Sequence, residues 1–286
     1  MAARTIVITG SSSGLGAAAA AALAQQGNRL IVVGRTPDRT RAVAERIGAE
    51  HHLADFERLD DVRRLAAELM ARDEPIHVLA NNAGGMYDEH ALTSDGIERT
   101  LQVDLVAPFL LSHLLLPRLA ESAAPGHPAR IVTTASIANL WGRLRLDDLN
   151  WEHRPWLGGW RAYGAAKLGV ILWNRDLAER TAGLGVSTYT FHPGWVKSNF
   201  GNPALMRFAD IALLGHAGIS PEKGGAPLVA LASDTPAAAP SGTHFDRFTP
   251  NGRVNAQARN RQLGQELWSV LADLAGLTAE SAETLG

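Results

Sequence analysis

The sequence predicts a doubly wound α/β protein, one parallel sheet of about seven strands with helices on both faces, in a single domain over residues 1–286. Two observations carry this. Short runs rich in Val, Ile and Leu alternate along the chain with longer helix-forming segments, and near-continuous apolar strands belong in a sheet covered on both faces. The alternation is unbroken by any repeat or linker; only 122–129, SAAPGHPA, and the last ten residues are plainly flexible.

Residues 4–9, RTIVIT, form a β-branched first strand. An alanine-rich helix follows, closed by Gly27. Strand two is RLIVVG (29–34), and the helix over 37–47 opens on Pro37, whose fixed φ suits a first helical turn. AEHHL is a weak third strand and precedes an amphipathic helix over 59–72. Strand four and its turn are IHVLANNAG (76–84), a long helical pattern covers 94–120, and ARIVTTAS (129–136) is strand five. A helix over 160–181 leads to strand six and its turn, GVSTYTFHPG (185–194). Ser220 caps a helix opening on Pro221, GTHFD is a short seventh strand, and 255–275 is a closing helix.

Composition narrows the function classes. Hydrophobic residues make up 46% and charged residues 20% of the chain, as in an ordinary soluble protein. The formal charge of −2, without a basic block, gives no reason to expect a nucleic-acid or membrane-surface partner. With no cysteine, disulfides and thiolate chemistry are excluded, and a cytoplasmic location is expected. The first strand starts almost at the initiator methionine, so no signal peptide or membrane anchor is expected. The 10 histidines show no metal-ligand spacing, and no metal is expected.

The first strand-to-helix turn, TGSSSGLG, puts Gly10, Gly14 and Gly16 where a tight turn and a backbone approach to pyrophosphate require them. The helix start then offers free N–H groups to the anion. Gly10, Ser12, Ser13, Gly14, Leu15 and Gly16 are therefore candidate nucleotide contacts. At the end of strand two, an acidic residue would hold a ribose 2′-hydroxyl, whereas an arginine can receive a 2′-phosphate. Here VVGRT supplies Arg35 and Thr36, with no carboxylate until Asp38 and with Arg39 close by. Arg35 either receives that phosphate or is a solvated loop residue; NADP is favoured.

The marks Thr9-Gly10-x-x-x-Gly14-x-Gly16, NNAG (81–84), Ser136, YGAAK (163–167) and HPG (192–194) occur in this order over nearly the whole chain. On these residues the sequence resembles the short-chain dehydrogenase/reductase family, with a Rossmann-type fold. The stretch from Ser136 to Tyr163, Arg35 and SGTHF (241–245) are most similar to its retinol-dehydrogenase-like branch. The resemblance implies that Asn81 and Gly84 support the sheet and the adenosine side, and that Asp55 meets the adenine ring. Phe56, Asn82 and Ala83 fall to the same cofactor site. Pro193 and Gly194 would border the nicotinamide, with Val196 and Ser198 near its carboxamide. It further implies a homodimer or homotetramer paired through two long helices, which the insertion at about 137–159 would obstruct.

Tyr163 and Lys167 stand four apart on one helix face. With 3 tyrosines and three lysines in the chain, chance predicts about 0.03 such pairs. Reduction of a carbonyl needs a proton as charge develops on its oxygen. Bringing a phenol about three pKa units toward neutrality takes roughly 4 kcal/mol. An ammonium about 4 Å away at an effective dielectric of about 20 would supply it. The candidate roles are Tyr163 as acid/base, Lys167 as tuning cation that also binds the nicotinamide ribose, and Ser136 orienting the substrate oxygen. The family's fourth catalytic position is asparagine, but LQVDLVAPFLL places Asp104 there. Asp104 either completes a working tetrad with altered pH dependence or is a plain helix residue.

Trp141, Trp151, Trp156 and Trp160 cluster between Ser136 and the tyrosine helix, and Trp195 and Phe200 follow HPG in a substrate-side loop at about 195–219. Two readings stand: the rings line a site for a bulky apolar or aromatic carbonyl or alcohol, with Trp141, Trp160, Trp195 and Phe200 as contacts, or they anchor the insertion. An alternative function is a nucleotide-binding sensor of the same fold that has lost catalysis. A sugar-nucleotide epimerase or dehydratase would show G-x-x-G-x-x-G spacing and a larger carboxyl-terminal substrate domain, and neither is present.

Overall fold

The computed structural model describes residues 3–196, 218–233, 237 and 239–278. These residues carry one eight-stranded sheet in the order β3-β2-β1-β4-β5-β6-β7-β8. Its strands are β1 (Thr5–Thr9), β2 (Arg29–Gly34), β3 (Glu50–Leu53), β4 (Val78–Asn81), β5 (Ala129–Thr134), β6 (Val186–His192), β7 (His244–Asp246) and β8 (Thr249–Pro250). All neighbours are parallel except the terminal hairpin β7–β8. The order reverses between β1 and β4, the switch point outside which open α/β sheets bind ligands.

The helices are α1 (Gly14–Gln25), α2 (Pro37–Ile47), α3 (Leu59–Met70), α4 (Arg99–Glu121), α5 (Trp160–Arg180), α6 (Pro221–Ala232) and α7 (Arg261–Leu274). The strands β1, β2, β4, β5 and β6 each feed two cores, because side chains alternate between the faces of a strand. Ile6 and Ile8 of β1 join the layer under α1, α2 and α6, while Val7 joins the layer under α3, α4, α5 and α7. α4 is long and apolar enough for a membrane span by length and composition, yet most of it is buried in this second layer. Trp268 of α7 packs edge-on against Phe109 of α4, with ring centroids 5.0 Å apart. Burying such rings together with Leu267 and Leu271 contributes on the order of 2 kcal/mol each.

The predicted doubly wound class is the one observed, with one strand more. β8 is two residues long and contains a proline, and its pairing with β7 depends on the turn rather than on any apolar run. The long helix begins at Arg99, not near 94. Glu98 is its N-cap, the carboxylate accepting from the amides of Thr100 (2.7 Å) and Leu101 (2.8 Å). Residues Gln102–Val106 within it form a π-helical turn. The closing helix is split: Ala256–Arg259 is a 3₁₀ turn, and Asn260 caps α7 by accepting from Leu263 N–H at 3.1 Å.

At the amino-terminal ends of the central strands, opposite the ligand crevice, two buried arginines finish α6. Arg130 donates to the carbonyls of Leu231 (2.8 Å) and Ser233 (2.6 Å). Arg4 reaches Ser233, His77 and Pro128. The bonds to Leu231 and Ser233 satisfy carbonyls at the end of α6 that have no partner within the helix. Arg130→Met is expected to lower the unfolding free energy by about 2–3 kcal/mol, read as a lower urea midpoint at unchanged m-value.

Candidate active site

A cleft of about 720 Å³ opens at the carboxyl ends of the central strands. Among the sequence-predicted cofactor residues, Gly10, Ser12, Ser13, Gly14, Leu15, Gly16, Arg35, Thr36, Asp55, Phe56, Asn82, Ala83, Gly84, Tyr163, Lys167, Pro193, Gly194 and Val196 all line it. So do Ser136, Trp141, Trp160 and Trp195. Ser198 and Phe200 lie outside the described residues. Met86 and Tyr87 also line the cleft and were not singled out in the sequence, since residue type alone does not distinguish them within their loop; His192, the first residue of the HPG mark, lines it as well.

The glycine turn shows why its residues must be small. A Cβ on Gly10, where φ is +64°, would sit 2.6 Å from Ala83 Cα, and one on Gly16 would sit 2.4 Å from Gly10 O. Asn82 braces the turn from β4, donating through Nδ2 to the carbonyls of Thr9 (3.0 Å) and Gly10 (3.2 Å). Asn81 points away, donating to Ser112 Oγ at 2.8 Å in the buried layer. The start of α1 has neither a side-chain cap nor an acid in its first turn, whereas α2, α3 and α6 each begin with Asp or Glu there. Uncapped amides at a cleft wall fit the pyrophosphate of a dinucleotide.

At the end of β2, Arg35 projects into the same cleft, more than half exposed. Its guanidinium is 2.9 Å from Glu57 Oε1 and 3.9 Å from Asp55 Oδ1.

Ser136 follows β5 and N-caps the 3₁₀ turn Ile137–Leu140, its Oγ accepting from Ala138 N–H at 3.2 Å. The next amide, Ile137 N–H, donates to His192 Nδ1 at 3.1 Å. Ser136 and Tyr163 line the same cleft wall, and Ser136 draws the Tyr163 phenol pKa down. One turn on in α5, Lys167 is almost fully buried and donates to Thr134 O at 2.9 Å, with its ammonium 3.0 Å from Asp104 Oδ1. Asp104 sits in the π-helical turn of α4 and also accepts from Gly85 N–H at 3.2 Å. Gly84 must lack a side chain, because a Cβ there would lie 2.5 Å from Asp104 Oδ1.

Two details differ from the sequence-based expectation. Lys167 faces a carboxylate directly, and its ammonium is 5.7 Å from the centroid of the Tyr163 ring. In the protein alone the Tyr163 phenol is therefore not drawn toward neutrality. Burial, and after it the Asp104 charge, hold it well above the usual phenol range, with Ser136 opposing. Asp104 is itself held above the usual carboxylate range by burial, against the pull of Lys167 and Gly85 N–H.

The tryptophans divide between the two readings. Trp151 and Trp156 pack edge-on at 6.2 Å, Arg154 stacks over Trp151 at 3.7 Å while paired with buried Asp148, and Trp156 Nε1 donates to Asp88 O. These rings anchor the insertion. Trp141, Trp160 and Trp195 are exposed and line the cleft with Met86 and Tyr87.

Comparison with known proteins agrees with this geometry. A family model described as short chain dehydrogenase matches residues 4–147. Retinol dehydrogenase 13 of Homo sapiens is 31% identical over 97% of this chain and 86% of its own. A protein of Streptomyces sp. (strain C5), provisionally assigned as a daunorubicin C-13 ketoreductase, is 35% identical over 96% of this chain and 94% of its own. The crystal structure of an uncharacterised protein from Mycobacterium paratuberculosis superposes with a TM-score of 0.77 at 31% identity, covering 96% of this chain and 94% of that one.

Proposed function

The chain is an oxidoreductase belonging to the short-chain dehydrogenase family, and from that premise we propose that it interconverts a carbonyl and an alcohol with NADP(H), on a bulky apolar or aromatic substrate. The observation that carries this reading is that Ser136, Tyr163 and Lys167 line one cleft, with Lys167 one helical turn beyond Tyr163. A nicotinamide bound in the cleft would supply or accept the hydride. The glycine turn and the amides of α1 would hold its pyrophosphate, and Arg35 its 2′-phosphate. Ser136 Oγ orients the substrate oxygen, and Tyr163 Oη delivers a proton to it as charge develops there. Lys167 holds the end of β5 through Thr134 O and, lining the cleft, would bind the nicotinamide ribose hydroxyls of a bound cofactor.

The exposed rings of Trp141, Trp160 and Trp195 support an apolar substrate. The relatives' names, retinol and daunorubicin C-13, are also those of large ligands. Purified protein is expected to consume NADPH faster with large aromatic ketones than with small polar ones, followed by loss of nicotinamide absorbance. A clear preference for small polar ketones would sink the substrate assignment. Tight cofactor binding without any turnover would favour the sensor reading, which the carboxylate of Asp104 at the usual asparagine position keeps in view.

A further inference from the structure

We propose that Glu57 limits how strongly the cleft favours a 2′-phosphorylated cofactor, by occupying the guanidinium that would receive the phosphate. This rests on the reading of Arg35 given above. The side chain of Arg35 is 59% exposed, so in isolation it would be free to swing, yet it is held 2.9 Å from Glu57 Oε1. Glu57 is itself fixed from two sides. Its amide donates to Asp55 Oδ1 at 3.1 Å, and the hydroxyl of Tyr87 donates to Oε1 at 3.4 Å. The Tyr87 ring is in turn covered by the Arg99 guanidinium at 4.1 Å. The backbone beneath is tied as well, Ala54 N–H donating to Gly34 O at 3.1 Å where β2 and β3 end.

A phosphate arriving at Arg35 would therefore meet a cation already paired with one carboxylate and within 3.9 Å of a second, Asp55. Either Arg35 leaves Glu57, or like charges are crowded together; both oppose the phosphate. A ribose 2′-hydroxyl meets the opposite situation, since a carboxylate accepts its hydrogen bond. The same three side chains thus serve both cofactors, with Glu57 setting the balance.

Calorimetric titration with adenosine 2′,5′-bisphosphate and with adenosine 5′-monophosphate isolates this end of the cofactor from the chemistry. Glu57→Gln is expected to tighten the bisphosphate about five-fold and to leave the monophosphate unchanged or weaker, an effect that shrinks in high salt. Tyr87→Phe, which removes only the hydroxyl steadying the carboxylate, should move the ratio the same way by a smaller step. Arg35→Gln should weaken the bisphosphate selectively and abolish the effect of Glu57→Gln. An unchanged or lowered ratio in Glu57→Gln, with Arg35→Gln still selective, overturns the role of Glu57 and leaves Arg35 as phosphate receiver. An Arg35→Gln that leaves the ratio unmoved overturns the parent reading, and the role of Glu57 with it.

Discussion

Tyr163→Phe is expected to lower kcat for carbonyl reduction by about 10²–10⁴-fold while leaving cofactor affinity within a few-fold of the parent protein. The ring is buried and phenylalanine fills nearly the same volume, so the helix and the cleft wall should stand. What disappears is one hydroxyl on a side chain that lines the cleft together with Ser136. Burial and the Asp104 charge hold that phenol above its usual range, so it remains a proton donor throughout neutral pH. The direction of the shift has a kinetic consequence. Reduction should be nearly flat through the neutral range and decline only in alkali, whereas alcohol oxidation, which needs phenolate, should climb as pH rises. Residual reduction above about a tenth of the parent rate, in a variant that melts normally, would remove Tyr163 from the proposed role.

The elements whose limits matched the sequence are those with local punctuation. β2 and α2 are bounded by Gly34, Pro37 and the left-handed Gly48, each acting within a few residues. The features that were not legible depend on contacts distant in the chain. Nothing in LQVDLV announces that the helix widens into a π turn there, yet this turn is what carries Asp104 beside Lys167. A π turn shifts every later side chain around the axis, so straight helical spacing does not give the direct ion pair of Asp104 with Lys167. The same holds for Glu57 and Tyr87, thirty residues apart and brought together where the loop after β3 meets the loop after β4. Among the tryptophans, equal hydrophobicity hides opposite fates. Trp151 is fixed by the Asp148–Arg154 pair beside it, whereas Trp141 is exposed and faces the cleft.

Lys167→Met is expected to cost about 3–5 kcal/mol of stability near neutral pH as well as activity, because it strands a buried carboxylate. Lys167 and Asp104 have almost no exposed side-chain surface, and beyond the ammonium at 3.0 Å Asp104 has the Gly85 amide as a donor. The Asp104 side chain has no exposed surface, and a Cβ on Gly84 would already lie 2.5 Å from Oδ1, so the carboxylate is closely enclosed. Burial raises the Asp104 pKa even with Lys167 present, and removing the cation raises it further. A carboxyl whose folded pKa exceeds its unfolded value of about 4 supports the fold fully while protonated and loses that support as pH climbs through the folded pKa. The variant should therefore be weakened least in acid and progressively more toward neutral pH, as urea midpoints at about pH 5 and about pH 8 would reveal. Adding Asp104→Asn removes the stranded charge, so the double variant should recover most of the stability and flatten its pH dependence. It should not recover turnover if the ammonium also serves the reaction. Recovery of both would make the pair a structural ion pair alone, and recovery of neither would mean that Lys167 acts on the fold through Thr134 rather than through Asp104.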